Sequence, residues 1–346
     1  MGLSPTWPKP TSSPDAPLHG MRVLDLSQQL PGPYATQLLA ALGATVVKIE
    51  PPQGDAARHL DPKMFANVNA GKVTYFLNLK EDHSKLALYS LIAGADVFVE
   101  GYRPGVTRRL GCDYVTLTKY KANIVYCSIS GFGQEGPRAT RPTHDISLQA
   151  IAGALPPGAQ LDRIGVPWVD LATATTAALT IVAAYHRGAG GYIDSSMLDS
   201  AIAWAGIKPD AVTSLEPTYG TVVTLDGITM IIAILEDTMW MRLCQAVGWS
   251  DWKHDEALEK YSDRRRHAQT IRHRLDQTIG GLTAHELVEL AITHDLPIER
   301  FDEELPDAME QREGRSGAPG HPPHSTIPIP AAWQSRLTPF LGKPHP

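Results

Sequence analysis

Three side chains stand where acyl transfer or proton transfer at a carbonyl compound can be built. His144 and Asp145 lie side by side in "RPTHDISLQAIAG", at the head of an apolar helix-like run. Asp170 lies in "GVPWVDLATA", after an apolar strand-like tripeptide and before a long alanine-rich helix. A carboxylate at a strand end, desolvated by neighbours such as Trp168 and Val169, can act as a base or as a nucleophile on a thioester or an anhydride. A histidine at a helix start can take a proton as a general base. Bland roles compete, because Thr143 or Asp145 can cap the helix that follows them and Asp170 can cap its own. Glu236, closing the strand "IIAILED", can orient a histidine or simply face solvent.

Basic groups occupy similar strand ends. Arg103 and Arg109 lie in "VEGYRPGVTRRLG", Lys80 in "FLNLK" and Lys48 in "VVKIEPP". Guanidinium groups beside the backbone N–H groups of a tight turn hold phosphates, so several such groups along one sheet edge point to an anionic ligand.

The elements that must position these residues follow from periodicity. "MRVLDL", "PGPYATQLLAALGA" and "TVVKIEPP" read as a β-α-β unit with Pro33 near the helix start. The rhythm recurs in "SKLALYSLIAGADVFVEGYRP" and in "NIVYCSIS", whose exit "GFGQEGP" is glycine-rich. An α/β fold results, with a Rossmann-like, mostly parallel sheet flanked by helices in the large domain. "LATATTAALTIVAAYHRG" continues it as a helix ended by "GAGG", and "YIDSSMLDSAIAWAGI" adds a short strand and a further helix. From about residue 222 the pattern changes to a hairpin around Asp226 and Gly227 and then to helices, a smaller α+β domain. The reading is a disordered leader over 1–20, a large domain over 21–212 completed by about 312–346, and a small domain over 222–300. The first strand-to-helix turn, "SQQLPGP", has neither a dinucleotide-binding nor a P-loop glycine pattern, which disfavours a standard NAD or nucleotide site.

Composition narrows the function classes. The 346 residues are 43% hydrophobic and 20% charged, with a formal net charge of −6, an ordinary acidic surface that makes nucleic acid an unsuitable partner. Three scattered cysteines, Cys112, Cys127 and Cys244, suggest neither disulfides nor zinc. No metal is expected, and His321 and His324 in "GHPPH" read as part of a proline-rich loop. No apolar run is read as long enough to span a bilayer, and no signal peptide is read, so the expected location is cytoplasmic, away from membranes.

Taken together, "VLDLSQQLPGPYATQLLAALGATVVKIEPPQGD", "NVNAGKVTYFLNLK", "ADVFVEGYRPGVTRRLG", "IVYCSISGFGQEGP", "HDISLQAIAG", "GVPWVDLATA" and "YIDSSMLDSA" resemble the family III CoA-transferases, the CaiB/BaiF family, which includes α-methylacyl-CoA racemases. The resemblance implies an interlocked homodimer and a CoA thioester as substrate, with no tightly bound cofactor. It implies CoA contacts from Gly101, Tyr102, Arg103 and Arg109 and from Leu77, Asn78 and Lys80 of the "LNLK" turn. Asp170 matches the catalytic aspartate that in transferases attacks the thioester, giving a mixed anhydride and then an aspartyl-CoA thioester. His144 matches the second acid/base residue of the racemases, and Glu236 the carboxylate near it.

Two details lean toward transfer. Ser147-Leu148 stands where racemases carry Asn-Tyr, and "LATAT" replaces their glycine run after the aspartate. Leu30, however, stands at the transferases' active-site glutamine, and no Gly-rich flap is found. The expected activity is therefore CoA transfer between carboxylic acids through Asp170. The alternatives are a 2-methylacyl-CoA racemase using His144 and Asp170, with enolate stabilisation by N–H groups at the helix start after Asp170, and, given a C-terminal half short for the family, an inactive CoA-binding homologue.

Overall fold

A computed structural model describes residues 5–156, 158, 165–208 and 215–301. The chain divides near residue 212 into two compact units.

The first unit holds a six-stranded parallel sheet: β1 Arg22–Leu26, β2 Thr45–Glu50, β3 Val73–Phe76, β4 Val97–Glu100, β5 Val125–Ser130 and β6 Gly191–Ser196. Helix α1 Pro31–Ala41 joins β1 to β2, and the short α2 Ala57–Leu60 and α3 Pro62–Val68 join β2 to β3. Next come α4 Asp82–Ile92, then α5 Val106–Leu110 and α6 Tyr114–Leu117, then α7 Asp145–Ile151 and α8 Trp168–Arg187, with α9 Met197–Gly206 after β6. The strand order is β3-β2-β1-β4-β5-β6, every pair parallel. The chain therefore runs outward from β1 to β3, returns to β4 beside β1, and continues the opposite way. At that reversal the loops leaving the carboxyl ends of β1 and β4 diverge and open a crevice, the place where open α/β sheets bind ligands.

Period-two alternation decides what each face packs against. Val23, Val46, Val97, Val99, Cys127 and Ile129 meet Ala35 and Leu39 of α1 and the apolar stripe of α8, including Val169, Ala174, Ala177 and Ile181. Leu24, Leu26, Val47, Phe98 and Tyr126 face the other way, onto Leu88, Leu91 and Ile92 of α4 and Leu117 of α6. The central strands β4 and β5 are buried along their whole length, hence their nearly unbroken apolar sequences.

Two expectations are corrected. Residues 5–20 are not a loose leader: the Trp7 indole donates to the Leu91 carbonyl at 2.9 Å, with the Arg22 guanidinium 5.7 Å from its ring centroid, and Ser12 donates to the Gly43 carbonyl at 2.8 Å. Tryptophan with a polar handle can anchor a proline-rich segment that has no helix or strand of its own. In addition, α8 is long and apolar enough by length and composition to cross a bilayer. It packs one stripe on the sheet and α1, as the core helix of an α/β layer does.

The second unit pairs β7 Tyr219–Val223 with β8 Thr229–Ala233 as an antiparallel hairpin, and β9 Ile298–Arg300 pairs with β8. Its turn is the expected one, with Gly227 at φ +76°. Helices α10 Asp237–Ala246, α11 Ser250–Lys253, α12 Tyr261–Arg266, α13 Ala268–Ile279 and α14 Ala284–His294 complete it around Trp240, Leu243 and Ile271. The expected return of 312–346 to the large domain, with His321 and His324, lies outside the described residues.

Candidate active site

The crevice floor is built from buried charge. Asp25, on β1, accepts hydrogen bonds from the Ser27 amide at 3.0 Å, Thr36 at 2.7 Å and the Lys72 ammonium at 3.0 Å, and also from the Ser27 hydroxyl. Burial alone pushes its carboxyl up, but Lys72, Lys48 and the two hydroxyls outweigh that and hold it well below the usual carboxylate range. Lys48, expected to face an anion, instead lies fully buried; it pairs with Asp55 at 3.3 Å and donates to the Ser27 carbonyl at 2.8 Å. Asp55 in turn accepts from the Gln29 amide, whose residue sits at φ +63°. An ion pair in a dry interior needs every remaining lone pair and proton satisfied, and here the backbone of Ser27 and Gln29 does that. The two pairs thus set the path of the loop from β1 into α1. Leu30 is buried, and the preceding Gln28 and Gln29 present their side chains to the crevice.

The loop after β4 is fixed in a similar way. Glu100 accepts from the Tyr102 amide at 2.7 Å and from the Ser128 hydroxyl, and burial pushes its carboxyl up to about 7. Gly101, Tyr102 and Arg103 follow directly. Beyond β5, Gly131 admits no side chain, since a Cβ there would meet the Thr143 methyl at 2.2 Å. That close approach brings the segment carrying His144 to the end of β5.

Asp170 is not at a strand end, as its apolar neighbours suggest. Pro167 starts α8, and Asp170 lies in the first helical turn. Its carboxyl is pushed up to about 7, first by burial and then by the negative charge of Asp145. Asp145 itself does not cap its own helix. Its Oδ1 accepts from the amides of Val169 at 2.7 Å and Asp170 at 3.1 Å, and its Oδ2 accepts from Gln149 at 2.5 Å. A carboxylate from one helix thus serves as N-cap for another, satisfying orphan donors that Pro167 cannot. The expected oxyanion donors at the α8 start are accordingly spent: Trp168 N–H goes to the Val166 carbonyl and Leu171 N–H to the Pro167 carbonyl.

Two cavities meet along the crevice. One, of about 300 Å³, is lined by Gln28, Gln29, Gly101, Tyr102, Arg103, Ser130, Arg141, His144 and Asp170. The other, of about 630 Å³, is lined by Ile49, Pro51, Leu77, Asn78, Lys80, Tyr102 and Arg109. Leu26, Gln28 and Tyr102 belong to both walls, so the cavities adjoin. The structure therefore gathers Asp170, His144, Gly101, Tyr102 and Arg103 around one chamber and Leu77, Asn78, Lys80 and Arg109 around the next. Glu236 belongs to the second unit, exposed at the head of α10. Sequence reasoning missed Gln28, Gln29, Ser130 and Arg141. Their signal was their position, immediately after β1 and at or beyond the end of β5.

The model of the family described as CoA-transferase family III matches residues 18–315. A succinyl-CoA:mesaconate CoA-transferase of Haloarcula marismortui is 35% identical over 270 residues, 68% of each chain. An acetyl-CoA:oxalate CoA-transferase of Acetobacter aceti is 29% identical over 315 residues, 83% of this chain and 81% of the relative. Among solved structures, a CaiB/BaiF family protein from Brucella suis superposes with TM-score 0.72 at 26% identity, covering 87% of this chain and 88% of its own. A protein from Mycobacterium tuberculosis does so with TM-score 0.77 at 27% identity, covering 88% and 89%.

Proposed function

The chain belongs to CoA-transferase family III, and from that premise we propose that it moves CoA between carboxylic acids through covalent intermediates on Asp170. One observation carries the reading: a half-buried carboxylate faces a chamber at the strand-order reversal, and that chamber adjoins a second one bearing Lys80 and Arg109. The pair is matched to a CoA thioester, with the phosphate-bearing end beside Lys80 and Arg109, pantetheine passing Tyr102, and the acyl carbonyl at Asp170.

In the proposed reaction the Asp170 carboxylate attacks the thioester carbonyl carbon, the C–S bond breaks, and CoA leaves as thiolate, giving a mixed anhydride. The thiolate then attacks the Asp170 carbonyl of that anhydride and releases the first acid, which leaves an aspartyl-CoA thioester. An acceptor carboxylate reverses the sequence and departs as the new acyl-CoA. Burial keeps water away from both intermediates and makes the carboxylate a better nucleophile once ionised. No cofactor enters any step.

Relatives are named for mesaconate, oxalate and glutarate, all diacids. Arg103, Arg141 and His144 around the same chamber support a diacid acceptor here, its second carboxylate held by a guanidinium. A homodimer is part of the proposal, supported by the exposed Leu179 of α8, Ile202 and Trp204 of α9, and Ile207.

The racemase alternative keeps one supporting observation, that His144 and Asp170 line the same chamber. The discriminating experiment follows CoA exchange between succinyl-CoA and a panel of mono- and dicarboxylic acids. Loss of exchange in Asp170→Ala with exchange retained in His144→Ala supports the transferase reading; loss in His144→Ala alone overturns it.

A further inference from the structure

Among the described residues the buried carboxylates are Asp25, Glu50, Asp55 and Glu100, each at most 2% exposed. Asp25 pairs with Lys72, Glu50 with Arg58 and Asp55 with Lys48. Glu100 differs, because no cation among the described residues pairs with it. Its Oε2 accepts from the Tyr102 amide at 2.7 Å and its Oε1 from the Ser128 hydroxyl. A buried charge without a counter-ion is unfavourable, so such a group titrates easily. The strands around it add no positive charge: Leu26 stands opposite on β1, Ser128 on β5 and, one strand further, Asp194 on β6. Burial first, and Asp194 after it, push the Glu100 carboxyl up to about 7 against the pull of its two hydrogen bonds. Tyr102, Cys112, Tyr126, Cys127 and Tyr192 are themselves pushed up, chiefly by burial, and stay neutral near pH 7. Arg103, on the same loop, is exposed. What Glu100 holds is the loop that matters most here: Tyr102 lines both chambers, and Gly101 and Arg103 line the one with Asp170.

We propose that Glu100 is a positioning residue that holds the Gly101–Arg103 loop against both chambers through the Tyr102 amide, and that this loop binds a CoA thioester more tightly when Glu100 carries a proton than when it is charged. Both protonation states keep the loop in place. The proton sits on the oxygen facing Ser128, whose hydroxyl then accepts instead of donating, while the other oxygen goes on accepting from Tyr102. Only the charge beneath the loop changes. A CoA thioester is a polyanion, so the charged carboxylate, balanced by no cation, opposes its binding and the neutral one does not. By linkage, binding draws part of a proton from solvent onto Glu100. Glu100 touches no substrate atom in this account and acts only through the loop. The inference rests on the reading of the two chambers as a CoA site.

The test uses the full-length protein carrying Asp170→Asn, so that Asp170 does not titrate, against the same protein carrying Glu100→Gln as well. Glutamine keeps an acceptor for Tyr102 and a donor for Ser128 without the charge. Affinity for S-ethyl-CoA, a thioether that cannot react, is measured at pH 6 and pH 8.5; the ratio between the two proteins cancels the ligand's own titration. The ratio is expected to be near one at pH 6, with the Glu100→Gln protein binding about three- to tenfold more tightly at pH 8.5. It is expected to melt no lower than its parent, since it buries no charge. In the otherwise wild-type chain, Glu100→Ala leaves the Tyr102 amide without its acceptor. KM for whichever of succinyl-, acetyl- and glutaryl-CoA the wild type uses fastest is expected to rise about tenfold, with kcat within about threefold, and Glu100→Gln is expected to restore it. An affinity ratio that is the same at both pH values overturns the proposal, as does a KM in Glu100→Ala within about threefold of wild type. Failure of the wild type to bind S-ethyl-CoA at either pH overturns the CoA reading of the chambers, and binding without any adduct on Asp170 overturns the transferase reading, so the failures are separate.

Discussion

The Asp145 carboxylate caps the helix that carries Asp170, accepting from the Asp170 amide at 3.1 Å, while its charge helps push the Asp170 carboxyl up to about 7. Burial is the larger cause and Asp145 the smaller. One side chain thus fixes where the proposed nucleophile sits and biases how readily it ionises.

Asp145→Asn separates those two roles. The amide oxygen still accepts from Val169 and Asp170, but the charge is gone, so the acid limb of the transfer rate shifts to lower pH than in wild type. Asp145→Ala loses the cap as well and is expected to cost about 1 kcal/mol of stability. The pH profile of kcat/KM and thermal melts of both variants provide the check; an unmoved acid limb in Asp145→Asn refutes the electrostatic role.

Asp170 is also a burden on the fold. Its carboxyl titrates near 3.8 when unfolded and near 7 when folded, so the folded state holds its proton more tightly. Stability from this group is complete below about pH 4 and is lost as pH rises toward 7, where the burial penalty on the charged form is fully expressed. Asp170→Asn should therefore be more stable than wild type at pH 8, by roughly 1–3 kcal/mol after allowance for partial solvation. The gain should shrink steadily between pH 7 and pH 4, and melting curves across that range will show whether it does.

The same carboxyl must be ionised to attack. CoA transfer by the wild type is expected to rise through about pH 7 and level off above it, the reverse of the dependence of a step needing the protonated acid. A rate that falls over pH 6–8 with intact protein contradicts the assignment of Asp170 as nucleophile.

Lys72 neutralises Asp25 beneath the Ser27–Gln29 loop, and burial pushes its own ammonium down to about 8 despite the pull of Asp25. Lys72→Met leaves a buried carboxylate unpaired and is expected to lose about 3–5 kcal/mol. Because the pair fixes the loop that lines both chambers, KM for the CoA thioester should rise more than kcat falls. Urea unfolding and steady-state kinetics test the two effects.

The large unit was readable because each strand and helix announces its own period. Thus "MRVLDL" and "TVVKIE" became neighbouring parallel strands, and the Asp226-Gly227 turn became a hairpin. What escaped the sequence were relationships across long separations. Nothing local in "THDIS" shows that Asp145 bonds to amides 24 and 25 residues away. Nothing in "VVKIE" shows that Lys48 turns inward to Asp55 rather than outward to an anion. Trp168 and Val169 look strand-like as a pair, and only the proline before them marks a helix start. Gly101, Tyr102 and Arg103, which line the chamber with Asp170, were legible because they directly follow β4.

Trapping the covalent intermediate tests the central claim most directly. The protein is incubated with an acyl-CoA, quenched with hydroxylamine, digested and sequenced by mass spectrometry. A hydroxamate on the peptide carrying Asp170, absent without acyl-CoA and absent in Asp170→Asn, is the result expected. Efficient CoA transfer with Asp170 unmodified, or with the hydroxamate on another carboxylate, contradicts the account.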